Sequence, residues 1–138
     1  MHCLEMQIRN RADDMSAIVS MVEGFGLKYR ISATVINEIN LCLDEVLSNI
    51  ISYGYPENAE GEITVRLGYE PGRISAEILD DGTPFDPLQA GPPNLSGTAQ
   101  TREVGGVGIY FVKQLMDDVA YRRVGNRNTL ILRKKIPT

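Results

Sequence analysis

The chain has 138 residues, of which 43% are hydrophobic and 23% charged, an ordinary composition for a single soluble domain spanning residues 1–138. Its formal net charge of −4 at pH 7 argues against nucleic-acid binding, because phosphate recognition needs clustered Lys and Arg. No apolar run reaches the length of a membrane span, so we expect no membrane association. Two cysteines, Cys3 and Cys42, are expected to be free thiols in a reducing compartment, and we expect a cytoplasmic protein.

The first half of the chain predicts one strand and two helices. Residues 4–8 alternate apolar and polar side chains, as in a short edge strand. Asn10 with Asp13 predicts the cap of a first helix, which ends near Gly26. A second, longer helix is predicted over residues 32–52, because its apolar residues recur at helical spacing.

The middle of the chain predicts a hairpin followed by a long loop. Residues 62–69 and 73–79 alternate as strands and are joined by the compact turn at 70–72. The loop over residues 82–104 is much longer than an ordinary connection and is rich in proline and glycine, which suggests a lid or binding loop.

The last segment predicts a helix over residues 108–117 and a second hairpin. Its strands are 119–124 and 129–136, joined by a turn at 125–128. The order of elements predicts an α+β fold, a two-layer sandwich whose mixed, mostly antiparallel sheet is covered on one face by helices.

Glu45 and Asn49 form the first motif that carries chemistry. They lie four residues apart on one face of the second predicted helix. An acid beside a neutral amide suits a hydrated Mg²⁺, since the amide oxygen can coordinate while the acid orients or deprotonates a nucleophile. Ordinary surface residues on an amphipathic helix explain the same pattern.

Asp80 and Gly82 form the second motif, at the end of a predicted strand. A carboxylate held there could accept a hydrogen bond from an exocyclic amine such as that of adenine, and Gly82 permits a backbone turn that other residues resist. A plain Asp-Gly turn is the alternative.

The glycine run at residues 105–108 is the third motif, at the start of the last helix. Glycines let backbone amides approach phosphate oxygens, and a helix N-terminus adds partial positive charge. No P-loop lysine follows and no strand directly precedes the run, so neither Walker nor Rossmann chemistry fits. A flexible loop is the alternative.

In this order the three motifs resemble the N, G1 and G2 boxes of the GHKL ATPases, a superfamily with the Bergerat ATP-binding fold. The resemblance covers about residues 35–132. Within the superfamily, the chain is similar to the anti-sigma factor serine kinases of bacterial partner-switching systems. The segments that carry this similarity are DEVLSNII at 44–51, YGY at 53–55, DDGTPFDP at 80–87 and GVGIYFVKQLMD at 106–117.

The resemblance implies roles for the first two motifs. Glu45 would be the general base that acts on a substrate serine, and Asn49 would be the Mg²⁺ ligand. Asp80 would bind the adenine amine, and Gly82 would leave room for the ring. The implied cofactors are ATP and Mg²⁺.

The resemblance also assigns the later residues. Gly106, Val107 and Gly108 would lead the loop back to the helix beside the phosphates. Thr129 would reach the nucleotide as the family's final Gly-Thr element does, although Asn128 stands here in place of that glycine.

The implied activity is transfer of the ATP γ-phosphate to a serine of a STAS-type anti-anti-sigma protein, which frees the kinase to hold its sigma factor. In the family, the first strand and helix contribute to a homodimer. Arg102 in the long loop could pair with the γ-phosphate or be merely solvated.

Two other functions remain open at this point. One is a non-catalytic regulator whose protein-binding surface is set by ATP. The other is a split histidine kinase catalytic domain, which is disfavoured because the sole histidine, His2, has no helical phosphoacceptor motif around it.

Overall fold

A computed structural model describes residues 2–56, 59–89 and 107–137. None of the helices in these ranges is long and apolar enough to cross a membrane. The described strands and helices, in chain order, are β1 His2–Arg9, α1 Met15–Lys28, α2 Ala33–Tyr53, β2 Glu62–Glu70, β3 Arg73–Asp80, α3 Val107–Leu115, β4 Asp118–Val124 and β5 Arg127–Lys135.

The five strands form one sheet in the order β1-β2-β3-β5-β4. Every pairing between neighbouring described strands is antiparallel. The predicted α+β class is confirmed, and the described part of the sheet is wholly antiparallel rather than mixed.

The core lies between the helices and one face of the sheet. Side chains alternate across a strand, so every second residue of β2 and β3 faces the helices. The fully buried strand residues follow this alternation and are Ile63, Val65, Leu67, Ile74, Ala76 and Ile78. They pack with the apolar stripe of α2, including Ile39, Leu43 and Leu47. Each buried valine, leucine or isoleucine side chain of this set stabilises the fold by about 1.5–3 kcal/mol relative to an exposed one.

The start of α1 differs from the predicted cap. Asn10 does not cap a helix: its amide group donates to the Ala59 carbonyl and accepts from the Gly61 amide, both at 2.9 Å. It therefore fastens the end of β1 to the segment before β2. The helix is instead preceded by a single helical turn, Ala12–Asp14, and the Asp14 side chain at the N-cap position makes no capping hydrogen bond.

The hairpin of β4 and β5 is tighter than predicted. The turn contains only Gly125 and Asn126, and Gly125 has a φ of 60°, in the left-handed region that glycine adopts at little cost. The predicted turn at 125–128 is therefore two residues too long. Asn128 becomes a strand residue that pairs with Asp80 of β3, and this changes the assignment of the site.

Candidate functional site

A cavity of about 220 Å³ opens at the end of the sheet where β3 finishes and β5 begins. It lies among α2, α3 and the segment that follows β3. The residues that line it come from these elements and from β3, β4 and β5, and are Val46, Asn49, Ile50, Tyr53, Gly54, Asp80, Thr83, Pro84, Phe85, Pro87, Ile109, Tyr121, Asn128 and Leu130. Apolar walls with a few polar groups are typical of a site for a flat organic ring.

Asp80 is the buried charged residue of this cavity, with 5% of its surface exposed. Its Oδ1 accepts hydrogen bonds from the Gly82 amide at 2.9 Å and from Asn128 Nδ2 at 3.0 Å. No described residue donates to the other oxygen, Oδ2. A carboxylate with one oxygen held by the protein and the other unclaimed can accept a hydrogen bond from a bound amine.

Asn128, not Thr129, faces this cavity. Neighbouring residues of a strand point to opposite faces, and Asn128 shares its face with Asp80 and Leu130. Thr129 is buried on the other face, opposite Leu79 of β3. The role expected of Thr129 rested on the resemblance to the family's Gly-Thr element, and in this structure Asn128, which stands at the glycine position of that element, faces the cavity instead.

Gly82 is needed for close packing rather than for an unusual turn. Its φ is not among the positive values of the described chain. A Cβ at this position would lie 2.4 Å from the backbone oxygen of Gly54, at the end of α2. The next residue, Thr83, donates its amide to the same oxygen at 2.7 Å. Gly82 thus lets the end of β3 dock on the end of α2, which fixes Asp80 against the cavity.

Glu45 and Gly108 meet at the start of α3. A Cβ on Gly108 would lie 1.7 Å from Glu45 Oε1, so the carboxylate of Glu45 occupies the space that a side chain would fill. Glu45 itself is half-buried.

Asn49 lies one helical turn beyond Glu45 and lines the cavity that contains Asp80. Among the described residues no group of three or more His, Cys, Asp or Glu could hold a metal ion. Mg²⁺ in nucleotide sites is usually held by one or two protein ligands together with phosphates and water. The amide oxygen of Asn49, with the acid Glu45 one helical turn away, fits this mode of Mg²⁺ binding. The described residues do not provide a set of acidic ligands that could surround the ion without phosphates and water.

Two of the predicted site residues cannot be placed. Gly106 and Arg102 lie outside the described ranges, whereas Val107 is the first residue of α3.

Besides Asn128, two tyrosines of the cavity, Tyr121 and Tyr53, were not predicted as site residues. Tyr121 could have been found from its alternation with Val119, which places it on the inner face of β4. Tyr53, at the end of α2, is 62% exposed and also lines the cavity.

Tyr55 and Asp81 form a second polar contact beside the site. The Tyr55 hydroxyl donates to Asp81 Oδ1 at 2.6 Å, and Gly61 leaves room for the tyrosine ring. Burial, and then the bond to Asp81, raise the pKa of Tyr55. Asp81 therefore contacts Tyr55 outside the cavity, although it is adjacent to Asp80 in sequence.

Comparison with known proteins agrees with this geometry. Residues 8–134 match the histidine kinase-like ATPase domain family. The chain is 31% identical over 111 residues to the serine/threonine-protein kinase BtrW of Bordetella bronchiseptica, covering 80% of this chain and 78% of that protein. It is 26% identical over 120 residues to the serine-protein kinase RsbW of Bacillus subtilis, covering 84% and 75% of the two chains.

A solved structure supports the fold. The crystal structure of the RsbU and RsbW domains of a Mycobacterium tuberculosis protein superposes with a TM-score of 0.71 and 13% identity, over 99% of this chain and 33% of the longer one. The resemblance inferred from the three motifs is confirmed. This chain belongs to the histidine kinase-like ATPase domain family, and its named relatives include serine-protein kinases.

Proposed function

We propose that this protein is an ATP-dependent serine-protein kinase that serves as an anti-sigma factor. It transfers the γ-phosphate of ATP to a serine of a STAS-type anti-anti-sigma partner. The family match and the two named kinases support the reaction class. The partner class rests on the resemblance of the three motifs.

The cavity around Asp80 is the observation that carries this proposal. A buried carboxylate with its Oδ2 unclaimed by the described residues stands among apolar walls. An adenine ring would displace water from those apolar walls, and its exocyclic amine would donate a hydrogen bond to Asp80. A 6-oxo purine would instead place its carbonyl oxygen, a hydrogen-bond acceptor, against the Asp80 carboxylate, which is also an acceptor. Its affinity should therefore be lower.

Glu45 is the proposed base for the transfer. As the serine oxygen attacks the γ-phosphorus, its proton passes to the Glu45 carboxylate, and the bond from phosphorus to the leaving oxygen breaks to release ADP. The first turn of α3 directs backbone amides toward the region where phosphates would lie. Bound Mg²⁺, held through the Asn49 amide oxygen, would neutralise phosphate charge.

The product explains how a switch would work. A phosphoserine adds about two negative charges to the partner, which disfavours its binding by repulsion and desolvation. The kinase is then free to hold its sigma factor. A cytoplasmic location and a homodimer through β1 and α1 are part of the proposal. Leu4, Val19 and Leu27, exposed apolar residues of those elements, are consistent with such a dimer.

Titration of Mg·ATP into wild type, Asp80→Asn and Asp81→Asn tests the site. Asp80→Asn puts an amino donor opposite the adenine amine, and we expect ATP affinity to fall about 10- to 100-fold. Asp81→Asn removes the same charge one residue away but can still accept from Tyr55, so it should stay within about twofold of wild type. Absence of Mg·ATP binding to the wild-type protein would refute the proposed function.

A further inference from the structure

We propose that Tyr121 and Asn128 are positioning residues that orient Asp80 and so set a preference for a 6-amino purine over a 6-oxo purine. This inference rests on the proposed function, because it takes ATP as the occupant of the cavity. It assigns a task to Tyr121, which the motif comparison did not include, and to Asn128, which that comparison noted only as the replacement of a glycine.

The amide of Asn128 is held at both ends. Its Nδ2 donates to Asp80 Oδ1 and to the Thr83 carbonyl, each at 3.0 Å. Its Oδ1 accepts from the hydroxyl of Tyr121. Both partners of the amino group are acceptors only, so the flipped amide would set oxygen against two oxygens. The two acceptors therefore determine which end of the amide carries the amino group, and the Tyr121 hydroxyl, by donating to Oδ1, holds the amide in this productive orientation.

The oriented amide determines what Asp80 offers to a ligand. With Asn128 and the Gly82 amide both bound to Oδ1, that oxygen is committed to the protein, and rotation of the carboxylate would break both bonds. Asp80 and Asn128 are 5% and 7% exposed, so these bonds are poorly replaced by water. Oδ2 is left as an acceptor with a fixed direction. An acceptor in a fixed direction selects a donor such as an amine.

The loop after β3 has an anchor that does not depend on Tyr121. Arg123, next to Asn128 across the β4–β5 pairing, donates from Nη1 to the Gly82 carbonyl at 2.9 Å. Loss of the Tyr121 hydroxyl should therefore loosen the Asn128 amide while the loop remains in place. This separates orientation of Asp80 from general folding.

Tyr121→Phe tests the role directly, because it removes the hydroxyl and keeps the ring in the cavity wall. Calorimetric titrations would measure the Kd of Mg·ATP and of Mg·ITP, which carries a carbonyl in place of the 6-amine. We expect the ATP Kd to rise about fivefold while the ITP Kd changes less than about twofold, so that the ITP/ATP ratio falls.

Tyr69→Phe is the matched control. Tyr69 lies at the far end of β2 from the row of Asp80, in a ring cluster with His2 and Tyr29, and its hydroxyl bonds to no described residue. Both Kd values should equal those of wild type. Asn128→Asp is a second variant of the same size, which replaces the amino donor by an acceptor, and we expect its ATP Kd to rise at least about thirtyfold.

The outcomes separate this inference from the proposed function. If wild type prefers ATP and Tyr121→Phe retains both its ATP affinity and its ITP/ATP ratio, the positioning role is overturned and the kinase proposal stands. Equal weakening of ATP and ITP in Tyr121→Phe would likewise reduce Tyr121 to a packing role and overturn the inference. A wild type that binds no ATP would overturn the proposed function, and the positioning role with it. Should Asn128→Asp fail to fold, Tyr121→Phe still decides.

Discussion

Glu45 places its carboxylate against the first turn of α3, where Gly108 has no side chain to displace it. The two residues are far apart in sequence, and the contact exists only because α2 and α3 pack side by side. A base that must receive a proton during phosphoryl transfer works only within a narrow range of positions, and a displacement of about 1 Å can cost about 100-fold in rate. The absent side chain of Gly108 is therefore a condition for the proposed role of Glu45 as the base.

Gly108→Ala should separate catalysis from stability. The new methyl group would overlap the Glu45 side chain from Oε1 to Cγ, so this half-buried, flexible side chain must turn to another rotamer, which we expect to cost little folding free energy. We expect phosphoryl transfer to fall about 10- to 100-fold, with thermal stability close to wild type.

The control for Gly108→Ala is Gly24→Ala. A Cβ on Gly24 in α1 meets nothing within 4 Å, so this variant should gain about 0.5–1 kcal/mol of stability and keep full activity. Unchanged transfer in Gly108→Ala would show that the Glu45 position is not critical.

At the scale of elements, Lys134 joins three of them. Its Nζ lies 2.7 Å from Glu38 Oε2 of α2 and donates to the Leu115 carbonyl at the end of α3 at 2.6 Å. The side chains of Lys134 and Glu38 are only 16% and 25% exposed. A cation at a helix C-terminus satisfies a carbonyl that has no partner within the helix. This lysine therefore fixes α3, and with it Gly108, relative to α2.

Lys134→Met should destabilise the protein by about 1–3 kcal/mol, because it leaves Glu38 half-buried without its cation and the Leu115 carbonyl without its donor. Urea unfolding measures this change. Glu70→Gln, which removes the exposed ion pair with Arg73, should cost less than about 1 kcal/mol. Equal losses of unfolding free energy in the two variants would contradict the role of Lys134 in joining α2, α3 and β5.

Elements were predictable from sequence where the periodicity was long. The apolar stripe of α2 and the alternation of β2 and β3 predicted those elements to within a few residues. The positions of Glu45 and Asn49 on one helix, and of Asp80 at a strand end, were predicted with them. The length of the β4–β5 turn was not predictable, because Gly125, Asn126 and Asn128 are all common turn residues. The face of these residues follows from the pairing of β5 with β3, in which Asn128 lies opposite Asp80 and Thr129 opposite Leu79, and no local pattern in the turn encodes that pairing.

Contacts between distant segments were also beyond the sequence. The close approach of Gly82 to Gly54 depends on how β3 docks on α2, and no local pattern encodes it. The contact of Asn10 was not predictable either. Asparagine is common at helix caps, but here it hydrogen-bonds to the segment before β2.

At the scale of the whole molecule, the fold separates its two thiols. Cys3 is exposed on β1, whereas Cys42 is buried in α2, and both are free as expected. Burial raises the pKa of the Cys42 thiol to about 11 from its ordinary value of 9.0. In the folded protein Cys42 thus stays protonated at a pH where the unfolded chain would ionise it. Its contribution to stability is present below pH 9.0 and is lost as the pH rises toward about 11.

Thiol labelling checks this prediction. At about pH 8, one thiol per chain should react quickly, and the second should react only as the protein unfolds, because the thiolate is the reactive form. The urea concentration at the midpoint of unfolding should decrease as the pH rises from about 9 to about 11. The decrease should be smaller in Cys42→Ala than in Cys3→Ala. Rapid labelling of both thiols in the native protein would refute the buried environment of Cys42.

The proposed kinase reaction unites residues from three separated parts of the chain, and one experiment tests it most directly. Purified protein would be mixed with γ-labelled Mg·ATP and a STAS-domain protein encoded near its gene, with Glu45→Gln alongside. Our account predicts label on a serine of the STAS protein with wild type, and its loss with Glu45→Gln although that variant still binds ATP. ATP binding by wild type without transfer to any STAS candidate would contradict the kinase proposal and favour an ATP-gated binding module.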